Sequence, residues 1–168
     1  MLEAWHDFYL LVGGASGGLI GLLFVVASLT TGIEAKNAMR AARLYMTPNL
    51  FHFAVILTLS ALAMAQGLSN RLAGSIVIGA GLCGLAYALT IGMALPGSKA
   101  ADPPHWSDLW CYAVVPGVIY VGVGLAGCEL VRAADCAPKA LAVALLSLMY
   151  IAIRNAWDLI TWIAPRRE

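Results

Sequence analysis

The sequence predicts an all-α polytopic membrane bundle, with about five transmembrane helices packed through glycine and alanine faces. Three observations carry this. The composition is 61% hydrophobic and 11% charged with a mean hydropathy of +0.84, whereas about a quarter of the residues of a soluble domain are charged. The apolar runs are each long enough to cross roughly 30 Å of hydrocarbon as a helix. Glycines recur at i, i+4 inside those runs, the spacing that lets two helices approach closely in lipid. One membrane domain over 1–168 follows, with spans at about 8–31, 49–68, 72–95, 109–131 and 139–164 and a connecting segment at 32–47.

The first span is the clearest. Phe8 to Thr31 has no charge, and Gly13, Gly17 and Gly21 step along it with Gly14 and Gly18 beside them. In water so many glycines weaken a helix, but in lipid the backbone has no competing partner, so the helix holds. MLEAWHD before it has no Lys or Arg, so we expect a retained span rather than a cleaved signal. In segment 32–47, Lys36, Arg40 and Arg43 share one face and Met39, Ala42, Tyr45 and Met46 another. That suits a helix on an anionic membrane surface, or equally a solvated connecting helix.

Thr47-Pro48 reads as the start of the second span, with Thr as cap and Pro in the first turn. Only Ser69-Asn70-Arg71 separates the second span from the third, which predicts a tight antiparallel hairpin. Within the third span, Gly79, Gly81 and Gly84 match the GxGxxG dinucleotide fingerprint. No Asp or Glu occurs between Glu34 and Asp102 to hold a ribose, however, and no βαβ unit surrounds the glycines. Gly79 and Gly84 are therefore read as a second packing face, and no cofactor is expected. Pro116 is expected to kink the fourth span, which Trp106, Trp110 and Tyr112 flank as an aromatic belt.

An odd number of spans puts the termini on opposite sides. Lys36, Arg40, Arg43, Lys99, Arg166 and Arg167 lie on one side against Arg71, Arg132 and Lys139 on the other. The bias places the N-terminus outside and the C-terminus in the cytoplasm. Cys128 and Cys136 then approach one loop on the oxidising face, which leaves two readings open, a disulfide between them or a Cys128 buried in its span. The four cysteines lack zinc spacing. Asp102, His105 and Asp108 step by three, but Pro103 and Pro104 oppose a helix there, so no metal is expected.

Charge enters the membrane region in the last span at Arg154, Asn155 and Asp158. Arg154 and Asp158 are i, i+4 and can pair on one helix face. Two readings stay open: an interfacial anchor with Trp157 and Trp162 as its belt, or a polar lining that faces the bundle interior. His52 lies at about the same depth as Asp158, and a His–carboxylate pair there exchanges protons near neutral pH. Tyr87 and Thr90 are placed beside them. Arg154, Asn155, Asp158 and His52 are thus the candidates for an ion pathway or gate.

A net charge of +1 excludes a broad basic surface for nucleic acid, so the partners are lipid, further copies of the chain and other membrane subunits. No HExxH, GxSxG or Walker motif is present, and no enzyme is expected. The expected function is an oligomeric channel or transporter for a small ion, proton or monovalent. The alternative is a non-catalytic scaffold or accessory subunit.

The opening, Trp5, Phe8-Tyr9 and LVGGASGGLIGLLFVVASL, resembles the start of uncharacterised small bacterial polytopic inner-membrane proteins with an aromatic pair followed by a small-residue helix. The likeness covers about the first 30 residues. It implies a bacterial multi-pass protein and no particular activity.

Overall fold

A computed structural model describes residues 2–29, 45–95 and 106–163. Five helices are long and apolar enough to cross a membrane: α1 (His6–Leu29), α2 (Thr47–Met64), α3 (Asn70–Ala94), α4 (Trp106–Val131) and α5 (Ala137–Ile163). Among the described residues there is no strand. The protein is an α-helical multi-pass membrane bundle. The 32–44 part of the amphipathic segment, with Lys36, Arg40 and Arg43, lies outside the described residues, as do Lys99, Asp102, His105, Arg166 and Arg167.

Each helix begins two to three residues earlier than the apolar runs suggest, because polar first-turn residues such as His6, Asn70 and Pro138 still take the helical path. At α2 the expected Thr47 cap is replaced. Met46 already has helical dihedrals (φ −82°, ψ −46°) and no side chain caps the start, so the helical path runs on from Tyr45. The α2–α3 connection turns through Gly67 at φ +79°, a left-handed conformation that costs glycine little. Ser69 then caps α3, its Oγ accepting from the Leu72 N–H at 3.3 Å. At the α4–α5 connection the Ala134 N–H reaches Glu129 O and the Ala133 N–H reaches Leu130 O, a Schellman closure with Ala133 at φ 56°.

Although α2 and α3 are joined by a short turn, they hardly touch. Instead α3 lies along α4, α2 lies against α1, and α5 packs on α4 and α2. Glycine placement accounts for the α3–α4 pairing. A Cβ at Gly81 would sit 2.7 Å from Gly124 N, and one at Gly74 would sit 2.7 Å from Gly127 O, so the two backbones meet where no side chain fits. At Gly84 the space is filled by the Tyr120 ring. On α1, Gly13 faces Ser60 Cβ, but a Cβ at Gly14, Gly17, Gly18, Gly21 or Gly79 would meet nothing within 4 Å among the described residues. Those five therefore contribute no close helix contact inside the bundle.

The core runs through Tyr9, Phe53, Ile56, Leu59, Tyr120 and Leu145. At the face where α1 starts, the N-terminal face, the Tyr9 hydroxyl donates to Pro138 O at 2.9 Å and ties α1 to α5. At the opposite, C-terminal face a smaller cluster joins Ile91, Leu95 and Tyr112. All four cysteines are free, so the Cys128–Cys136 bond is not formed. Cys128 is still inside α4, its carbonyl accepting from Arg132, while Cys136 opens α5 and accepts from Ala140.

Because Gly81 meets backbone rather than a movable side chain, Gly81→Ala should cost about 1–3 kcal/mol by overpacking. Gly17→Ala should stay within about 0.5 kcal/mol of the parent. Thermal unfolding of the two variants in one detergent checks the contrast.

Candidate functional site

The buried stripe of α2 holds Asn49, His52, Phe53, Ile56, Leu59 and Ser60, the i, i+3, i+4 spacing that puts residues on one helix face. Here that face is inside the bundle, and it is not wholly apolar. Asn49 is 0% exposed and His52 1% exposed. His52 Nδ1 lies 2.8 Å from the Tyr120 hydroxyl, so one of the two donates and the other accepts. Among the described residues the opposite ring nitrogen, Nε2, has no partner, and neither does either polar atom of the Asn49 amide nor the Ser60 hydroxyl. Ser16 is satisfied, donating to Phe53 O at 2.7 Å.

Aromatic rings wall this layer. Phe51 stacks on Tyr87 with centroids 4.5 Å apart and reaches Tyr120 at 6.2 Å. The missing side chain at Gly84 is what admits the Tyr120 ring, so the α3–α4 seam sets the position of the phenol that meets His52. Thr90 donates to Tyr87 O at 2.7 Å and is turned outward. It does not join the cluster.

Nearer the C-terminal face lies a second polar group, built by Pro116. The segment Trp110–Val114 is a π-helical turn, in which the Val115 N–H goes to Trp110 O instead of Cys111 O. Pro116 has no N–H to offer, so nothing within the helix satisfies the Cys111 carbonyl. Asn155, 0% exposed on α5, supplies the donor: its Nδ2 lies 2.8 Å from Cys111 O. In return the Tyr112 hydroxyl donates to Asn155 O at 3.0 Å. The expected kink at Pro116 thus takes the form of a π turn clasped from the neighbouring helix.

Over this clasp the Tyr45 ring meets Tyr112 edge-on, centroids 5.1 Å apart. The Tyr45 hydroxyl is held above its ordinary pKa by burial first, and then by the charge of Asp108 and a hydrogen bond to that carboxylate, with Asp158 adding to the field.

Of the four pathway candidates, the structure brings His52 and Asn155 into the interior. Arg154 and Asp158 are half-buried on the rim of α5. They do not form the expected ion pair: Arg154 Nη1 turns to Asn155 Oδ1 at 3.2 Å. Base before acid at i, i+4 is the poorer helical order, and the neighbouring amide competes successfully. The partner of His52 is a phenol, not the Asp158 carboxylate. Sequence reading missed Asn49, treated only as a helix end, although it lies at i−3 from His52. It also missed Tyr120, for which the sequence offers no signal, and it put Tyr112 in an interfacial aromatic belt, whereas Tyr112 is buried against α5.

Among the described residues no three His, Cys, Asp or Glu side chains gather as metal ligands. What the arrangement offers is neutral hydrogen-bond donors and acceptors, one titratable imidazole, and open valences in an otherwise apolar interior. No protein-family model matches the chain, and no curated protein or solved structure is similar to it.

If Asn155 replaces the hydrogen bond that Pro116 removes, Asn155→Leu should cost about 1–3 kcal/mol by stranding a buried carbonyl. Pro116→Ala returns a backbone N–H, so the double variant should be more stable than the sum of the singles by about 0.5 kcal/mol or more. A double-mutant cycle on unfolding midpoints reads the coupling.

Proposed function

We propose that the protein is a channel or transporter for a small ion, the proton first among the monovalent candidates. It would act in several copies in a bacterial inner membrane with its N-terminus outside. The observation that carries the reading is the layer Asn49–His52–Tyr120, sealed from lipid yet left with open hydrogen-bonding valences. A buried polar group without a partner costs about 1–3 kcal/mol even in proteins. Such groups deep in a membrane bundle mark ion and proton paths when water or a passing ion completes them.

The path follows the interior of each bundle rather than the rim. From the C-terminal face it passes Tyr45 and Asp108, then Tyr112 and Asn155, then Asn49, and reaches His52. An imidazole takes a proton at one ring nitrogen and releases one from the other, so Nε2 is the free port. Nδ1 passes its proton to the Tyr120 oxygen as the phenol gives up its own hydroxyl proton to water admitted when the N-terminal side opens. Beyond His52, Ile56 and Leu59 fill the α2 stripe up to Ser60, about 12 Å further along the helix axis. That dry stretch makes this conformation closed toward the N-terminal face, so passage requires an opening there. Arg154 and Asp158 act at the rim, where they set the local field.

A second reading, an accessory subunit that packs against other membrane chains, draws on the bare glycine edge of α1 at Gly14, Gly17, Gly18 and Gly21. In that case the small-residue zipper is a contact surface and the buried polar groups only fix the packing.

Purified protein in liposomes under a potassium diffusion potential, read with an internal pH dye, tests the first reading. We expect proton flux that His52→Leu lowers at least about tenfold, that Asn49→Leu also lowers, and that Thr90→Ala leaves unchanged. Absence of flux of any ion under gradient or voltage in the parent, or equal flux in His52→Leu, favours the accessory subunit.

A further inference from the structure

The outward face of α5 differs from that of α1. On α1, every side chain from Leu10 to Val26 that faces outward is apolar, the one hydroxyl in that stretch, Ser16, being buried. On α5, Tyr150 is 76% exposed and stands 13 residues from either helix end, which places its hydroxyl near the bilayer midplane. No residue of the bundle accepts or donates to it among the described residues. Hydrocarbon offers a phenol nothing to bond, so the group is costly where it stands.

The exposed positions around it form one stripe. Val143, Leu146, Tyr150, Ile153, Trp157 and Ile160 are all exposed and alternate by three and four residues, the spacing of a left-handed helix–helix seam. Arg154 and Asp158 stand off one flank of that stripe, half-buried.

We propose that this face of α5 is the contact between two parallel copies of the chain. A phenol both donates and accepts, so copies related by an axis along the membrane normal bring two such groups together at one depth and satisfy both. The inference does not rest on ion conduction. An accessory subunit would present the same seam.

Full-length protein in liposomes carries the test. With the four native cysteines changed to serine, Tyr150→Cys and Trp157→Cys should be oxidised to a homodimer. Leu82→Cys, 62% exposed on α3, should stay monomeric. In the wild-type cysteine background, Tyr150→Phe leaves the fold untouched because the residue is on the surface. It should weaken self-association by about threefold to tenfold, read by energy transfer between labelled copies. Light scattering of the parent in mild detergent gives the oligomeric mass independently of any variant. A monomeric parent, cross-linking at Leu82→Cys as fast as at Tyr150→Cys, or cross-links only to a different protein would each overturn the proposal.

Discussion

A carbonyl or amide out of reach of water must find its partner inside the protein, and most of what is distinctive in this bundle follows from that constraint. Pro116 breaks the hydrogen-bond ladder of α4, the helix answers with a π turn, and the carbonyl left over at Cys111 is met by Asn155 from α5. Tyr112 returns the bond to the Asn155 carbonyl. The exchange fixes the register of α4 against α5 where apolar side chains, interchangeable in lipid, would specify it poorly. It also turns the Tyr112 ring toward Tyr45, which joins the segment before α2 to the same corner.

The constraint is left open one layer deeper. Glycines at 74, 81 and 84 let α3 lie against α4, and the space above Gly84 takes the Tyr120 ring. That places its hydroxyl on His52, but among the described residues nothing reaches the other side of the imidazole or the Asn49 amide. The same bundle that finds a donor for one stray carbonyl leaves four side-chain atoms on one helix stripe unmatched. An interior made only for packing would gain by replacing them with leucine, so we read the layer as a place that water or an ion completes.

Much of this was legible in the sequence, and the failures have physical causes. The spans follow from apolar length alone, since five runs leave little else for a membrane to do with them. The glycines were found, but five of the seven face no neighbour inside the bundle among the described residues. Spacing shows that a helix face is smooth, not whether a neighbour lies on it, so Gly84 has its ring while Gly79 and most of the α1 set have nothing within 4 Å. His52 and Asn155 stood out as polar residues in apolar surroundings. The Arg154–Asp158 pairing failed because helical spacing says nothing of the adjacent amide that wins the guanidinium. Asn49 was passed over because a polar residue beside Thr47-Pro48 reads as a helix boundary, and only packing shows that the boundary is indoors. Tyr120 is a fourth-span tyrosine like any other until Gly84 gives it room.

The central claim is that the layer at Asn49 and His52 is hydrated from the C-terminal face. Solid-state NMR of uniformly nitrogen-15-labelled protein in lipid bilayers addresses it through water-edited transfer to the His52 ring and the Asn49 amide. The account predicts transfer from water to His52 Nε2 and to the Asn49 side chain well ahead of the buried backbone at Ile56 and Leu59. If His52 and Asn49 receive no more magnetisation from water than the buried backbone at Ile56 and Leu59, the layer is dry and the proposed path does not exist.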